Sequence, residues 1–329
     1  MTGDVPLGQG ARVGPYVVDA VVGVGGDHLT YRAIQADTGR QLALKEFKPA
    51  GWVVRAADGR ALVPRAPEDA ATLEKLVADI EAQNRGRERF RHPNVVAIFD
   101  VVAANGTVYL AMDRYPGQPL SALLAPGEAL DRNEVDEILA PLLDGLAALH
   151  EDGLVHLDIC PASLFVRRDG RPMLGRATLH PAAHRVEGRS FVLNEDDAYF
   201  AEEHFFPEIP FGPWTDIYGL SAAFYRLIAG APPANVVKRI KETARSRPDP
   251  ALAGIEGLRS QWHDELLDTL ARGLAIEASD RWASVEQFRA GLDGPPGLRR
   301  APANDRDAAE PAGEALPAPG FDHEDDGPS

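Results

Sequence analysis

The stretch HLDICPASLF, His156 to Phe165, decides how the rest of the chain is read. It sets an aspartate, Asp158, beside His156, with Leu157, Cys160 and Ser163 as close companions. Upstream, RNEVDEILAPLLDGLAALH puts Ile138, Leu142, Leu146 and Leu149 on one stripe at helical spacing, and Gly153 supplies a stop. Downstream, TDIYGLSAAFYRLIAG is apolar nearly all round, which predicts a buried helix. QWHDELLDTLARGL and SVEQFRAGL then read as further helices. The stretch is therefore a loop inside a helical region that begins near Leu120.

The first hundred residues read differently. YVVDAVVGV and HLTYRAIQA are short runs rich in β-branched and aromatic residues, joined through Gly23, Gly25 and Gly26. QLALKEF is a third strand, entered from the turn DTGR. GWVVRAADGRALVPR predicts an extra hairpin turning at Asp58-Gly59, and VVAIFDVVAANGTVYLAMDRY a hairpin around Asn105-Gly106. Between them, Pro67, Glu68 and Asp69 open a helix with Leu73, Leu76 and Ile80 in register. The expected architecture is α+β and two-lobed: a small β-rich lobe with one helix, then a larger helical lobe, joined near MDRYPGQP.

The chain has 329 residues, 44% hydrophobic composition and a net charge of −16. That is enough to bury a substantial core, and it argues against a broad nucleic-acid or anionic-membrane surface, since both need basic footprints. Cys160 is the only cysteine, so no intramolecular disulfide forms and a reducing compartment fits. The start, MTGDVPLGQGARVGPYVV, carries no secretory pattern, and no run approaches a membrane span. A cytoplasmic location is expected. From about residue 294, GPPGLRRAPANDRDAAEPAGEALPAPGFDHEDDGPS is Pro-, Ala- and acid-rich with almost nothing large and apolar, and it reads as a disordered tail.

The order of these motifs resembles a protein kinase of the bacterial Ser/Thr type. GVGG resembles the glycine-rich loop, LALKEF the V-A-I-K strand, RHPNVVAIFD the strand after the regulatory helix, and YLAMDRYPGQPL the hinge. HLDICPAS stands where H-R-D-x-K-P-x-N is expected, and GPWTDIYGL and SDRWASVEQF resemble two late helical signatures. The resemblance covers about residues 11 to 293, with a small lobe to about 114 and a large lobe from about 115. Residues 1–10 precede it and 294–329 follow.

The resemblance implies nucleotide contacts from Gly23, Gly25, Gly26, Ala43, Lys45 and Met112, with Lys45 on the α- and β-phosphates. The partner of that lysine is usually a helix glutamate. Counting back from His92 puts Gln83 there, which can hydrogen-bond but not neutralise, while Glu81 is offset onto another face. His28 replaces the third loop glycine, and Asp27 stands at the loop tip. Asp158 keeps the general-base position, with His156 as a structural hydrogen-bonder.

Leu157 replaces the arginine that would bind a phosphorylated loop, so control by such phosphorylation is not expected. Cys160 replaces the lysine that steadies the transferring phosphate and reads as a small space-filler. Ser163 takes the place of the metal-binding Asn, and Arg176, Ala177 and Thr178 fall on D-F-G. A guanidinium repels the Mg²⁺ that a carboxylate would hold, so no metal ligand is assigned. The resemblance also assigns Asp216 to holding the Asp158 loop and pairs Glu203 with Arg281.

The scaffold residues therefore match and the metal-binding ones do not. The expectation is a pseudokinase that regulates or scaffolds a protein partner, with ATP as a candidate ligand held without Mg²⁺, Arg176 forking onto its phosphates. The alternative is a residual Ser/Thr kinase using Lys45 and Asp158.

Overall fold

The computed structural model describes residues 5–25, 28–114, 117–125, 127–175, 195–206 and 208–294. The tail beyond 294 and the positions Gly26, Asp27 and Arg176 to Thr178 lie outside the described residues.

The small lobe is built on a six-stranded antiparallel sheet in the order β1-β2-β3-β4-β8-β7. Its strands are β1 (Arg12–Val13), β2 (Tyr16–Val24), β3 (His28–Gln35), β4 (Gln41–Phe47), β7 (Ile98–Ala104) and β8 (Thr107–Met112). β5 (Val53–Arg55) and β6 (Leu62–Pro64) form the extra hairpin, with Gly59 at φ 69° in its turn. The one long helix of this lobe is α1 (Ala70–Arg85), reached through a single turn of 3₁₀ helix at Pro67–Asp69.

Period-2 side-chain alternation splits this sheet between two cores. Val108, Leu110 and Met112 face α1, packing with Leu73, Leu76 and Ile80. Leu42, Leu44, Tyr31, Tyr109 and Ala111 face the other way, where Leu7 and Val13 cover them. At β8 both faces are dry, and the strand is buried at every residue.

A charged latch sits in the far-side core. Glu46 is fully buried. Arg55 from β5 donates to it twice, Nη1 to Oε1 at 2.8 Å and Nη2 to Oε2 at 2.6 Å. The Tyr31 and Tyr109 hydroxyls donate to the same carboxylate at 2.7 and 2.6 Å. The hairpin also bonds through Leu62 N–H to the Asn105 carbonyl at 2.7 Å. A side chain on Gly106, at φ 71°, would strike the Leu62 carbonyl.

The large lobe follows with β9 (Gly117–Pro119), α2 (Leu120–Leu123), α3 (Arg132–Glu151), β10 (Leu164–Arg167) and β11 (Pro172–Leu174). It ends with α4 (Pro213–Ala229), α5 (Val236–Thr243), α6 (Pro250–Glu256), α7 (Asp264–Gly273) and α8 (Val285–Leu292). α3 starts on a capping box: Glu134 N–H donates to Asp131 at 3.0 Å and Asp131 N–H to Glu134 at 2.7 Å. Its buried stripe is centred one residue later than the sequence spacing suggests, on Leu139 with Leu142, Leu146 and Leu149, leaving Ile138 half-buried. α4 is buried along nearly its whole length and stops at Gly230, φ 74°. No helix among the described residues is long and apolar enough to cross a membrane.

Candidate nucleotide cleft and catalytic loop

Strand register gathers the small-lobe candidates. Thr30 lies opposite Lys45, Arg32 opposite Ala43, and Ala43 opposite Met112. Directly opposed residues project to one face, so Ala43, Lys45 and Met112 share the face that looks toward α1. Gly23 joins them opposite Thr30. Lys45 is 4% exposed, so it is no surface lysine. Glu46, its neighbour, projects into the latch, which ties the strand carrying Lys45 to the hairpin. Gln83 is exposed on α1, and Glu81 is spent on an ion pair with Arg85 one turn on.

The loop from His156 to Ser163 is held from below by Asp216. Its carboxylate accepts the His156 N–H at 2.7 Å, the Leu157 N–H at 2.6 Å and the His150 Nε2–H at 2.8 Å. Those bonds hold Leu157 at φ 66°, a left-handed conformation that costs a leucine about 1–2 kcal/mol. Burial pushes the Asp216 carboxyl upward, but the His150 bond and charge, with the His156 contacts, outweigh it and leave the pKa below its ordinary 3.8.

His156 is buried and uses both ring nitrogens. Nε2–H donates to the Gly175 carbonyl at 2.8 Å, and Nδ1 accepts the Asp158 N–H at 3.3 Å. One neutral tautomer satisfies both bonds. Burial, then the Arg87 charge beside it, push its pKa below 6.5. The folded protein thus keeps the ring neutral while the unfolded chain takes a proton below pH 6.5. Stability is lost as pH falls through that value and the loss levels off beneath the folded pKa. Urea titrations between pH 7 and 5 should show this slope, at most about 1.4 kcal/mol per pH unit, and His156→Asn should flatten it. Equal slopes in the two proteins would exclude His156 as the source.

Ser163 is fully buried. Its Oγ donates to the Cys160 carbonyl and accepts the Cys160 N–H, both at 2.9 Å. Cys160 itself is buried in the large-lobe core, which bears out its space-filling reading. Gly175 N–H donates to the Ser163 carbonyl at 2.7 Å, so the residue before Arg176 is fixed against both Ser163 and His156. β11 pairs with β10 through Leu174 opposite Leu164, which places Arg176 directly after this hairpin in the chain. Asp158 is half-buried beside His156.

One more expected contact is present, and one was not foreseen. Arg281 grips Glu203 with Nη1 to Oε1 at 2.7 Å and Nη2 to Oε2 at 3.1 Å, both residues buried. The RHPNVV segment docks on β11, Asn94 Nδ2–H reaching the Pro172 carbonyl at 2.8 Å.

Arg87 was not legible as a site residue. It follows α1, is buried beside His156 and donates to the Val155 carbonyl at 2.7 Å. Burial pushes its pKa down against the pull of Asp216 and Asp158. The only hint in the sequence is the arginine-dense run RGRERFRH, which reads as a solvated face. Glu46 and Arg55 were missed for a similar reason: on paper they are ordinary charges on a strand and a hairpin.

The protein kinase domain family model matches residues 16–287. Serine/threonine-protein kinase Pkn1 of Myxococcus xanthus is 31% identical over 227 residues, 66% of this chain but only 32% of that protein. Serine/threonine-protein kinase PknL of Mycobacterium tuberculosis is 26% identical over 306 residues, 86% of this chain and 70% of that one. Among solved structures, the apo form of PpkA-294 superposes with a TM-score of 0.70 at 26% identity, covering 88% of this chain and 100% of that chain. The M. tuberculosis PknI kinase domain gives 0.62 at 21% identity, over 88% and 98%, a likeness of fold. The chain spans about a third of Pkn1 and half of the Streptomyces coelicolor kinase PkaA. With the matched span running from β2 to α8, the chain belongs to the protein kinase domain family.

Proposed function

We propose that the chain is a kinase-fold regulatory or scaffolding module with little or no phosphotransfer, a pseudokinase acting on a protein partner in the cytoplasm. The observation that carries this reading is Ser163. Its hydroxyl hydrogen is given to the Cys160 carbonyl and one lone pair to the Cys160 N–H, so in its buried pocket it is committed to the loop instead of to a cation. Mg²⁺ wants an octahedron of hard oxygens. The family resemblance assigns its two protein positions to this serine and Arg176, and a hydroxyl and a guanidinium do not fit it. Phosphoryl transfer depends on that metal's charge and positioning; a lone general base contributes only about 10²–10⁴-fold.

Purified protein given radiolabelled ATP and a generic acceptor should transfer no label above the blank, with Asp158→Ala indistinguishable. Transfer abolished by Asp158→Ala would establish the second reading, a residual Ser/Thr kinase, which the retained Lys45 and Asp158 favour. ATP remains the candidate ligand, held without Mg²⁺: Gly23, Ala43, Lys45 and Met112 share one face, and the family resemblance assigns Arg176, outside the described residues, as a phosphate-pairing cation. Melting shifts by ATP should therefore survive EDTA; a shift that demands Mg²⁺ refutes the metal-free site.

A further inference from the structure

The end of the β2–β3 hairpin is closely packed where Gly25 meets His28. A side chain at Gly25 would collide with the His28 imidazole, its Cβ overlapping Cε1 and standing 2.7 Å from each ring nitrogen. The Gly25 N–H donates to the His28 carbonyl at 2.9 Å, so the two residues oppose each other at the narrow end of the hairpin. Two positions along, Gly23 opposes Thr30, and Thr30 opposes Lys45. Opposed residues project to one face, and the same face returns every second residue. A Gly25 side chain would therefore project onto the Lys45 face, and the His28 ring lies there. His28 is only 9% exposed. Glycine loops hold phosphate because the missing Cβ leaves room for an anion against backbone N–H groups. Here that room is taken by an imidazole.

We propose that His28 occupies the phosphate position against Gly25 on the Lys45 face, so that the cleft takes a nucleoside readily and a triphosphate only after the ring swings out. This rests on the nucleotide reading of the cleft. The base end is built differently, from Ala43 opposite Met112, a small and a flexible side chain. His28 thereby sets which part of a nucleotide the site recognises: the phosphate tail competes with the chain's own side chain, and the base does not.

The test is binding of ATP and of adenosine to the full chain by calorimetry, comparing wild type, His28→Gly and His28→Gly/Lys45→Met. A competent fraction near one in ten weakens apparent affinity by that factor, so His28→Gly should bind ATP about tenfold more tightly or better. Adenosine should change by less than about twofold, since it never meets the ring. Adding Lys45→Met should cancel the gain. Unchanged or weaker ATP binding overturns the proposal, as does an equal gain for adenosine, and in either case ATP binding by wild type leaves the nucleotide reading standing. If neither protein binds either ligand, both readings fall. A second measurement needs no variant: wild type should show an NOE between His28 Hε1 and the Gly25 α-protons that fades on saturation with ATP. Absence of that NOE in the free protein overturns the proposal.

Discussion

Replacing Glu46 with alanine lowers the unfolding free energy by about 3–5 kcal/mol, the usual cost of removing one partner from a buried ion pair. The site explains the size. Glu46 and the Arg55 side chain are both buried, with side-chain exposures of 0% and 3%, so the guanidinium keeps only the Arg60 and Val5 carbonyls and loses its paired counter-charge. Two tyrosine hydroxyls lose their acceptor in the same step. Glu46→Gln keeps the volume and one acceptor oxygen and should cost less. The pair Glu46→Leu with Arg55→Met removes both charges together and should cost well below the sum of the single changes, because apolar replacement of a buried pair is often neutral. Urea unfolding with unchanged m-values checks this. A loss under about 1 kcal/mol would mean that the pair behaves as an exposed one.

Asp216→Ala is the second large effect, again about 3–5 kcal/mol, and it has a local signature. One carboxylate serves the amides of His156 and Leu157 and the ring of His150. Without it two buried N–H groups are unsatisfied, each at about 1–3 kcal/mol, and nothing holds Leu157 in its left-handed conformation. Hydrogen exchange at the His156 and Leu157 amides should accelerate beyond the change expected from global stability alone. Wild type should also weaken in acid through this group. Its folded pKa lies below 3.8, so its contribution is complete above that value and disappears as pH falls through the folded pKa. Asp216→Ala should lack that last acid step, and an unchanged acid limb would exclude the carboxylate as its source.

The fold was legible because its signals are local. β2 (Tyr16–Val24) and β4 (Gln41–Phe47) coincide with the runs that the sequence marks, since glycine and turn residues bound them on both sides. The added hairpin was legible from Asp58-Gly59 for the same reason. α5 and α6 went unrecognised: α5 lies in a run of charges, VVKRIKET, and α6 is only seven residues, PALAGIE, so neither shows a clear apolar stripe. They are joined by a buried pair, Arg239 with Asp249 at 2.7 Å, which the letters alone read as ordinary surface charges. The Glu203–Arg281 contact was foreseen through the family resemblance, because its partners lie 78 residues apart. Glu46 with Arg55 had no such guide. The commitment of Ser163 to its own loop was equally hidden, since the letter serine does not say where its proton points. Arg176, on which the metal argument leans in sequence terms, lies outside the described residues.

The double-sided burial of β8 has a mechanical consequence. A strand wetted on one side can bend toward its solvent; this one is packed on both sides and resists bending in either direction. That cover thins toward β2, where Val21, Val22 and Val24 stand exposed. A second protein that engages this lobe finds apolar surface at that end of β2, whereas β8 is already spoken for.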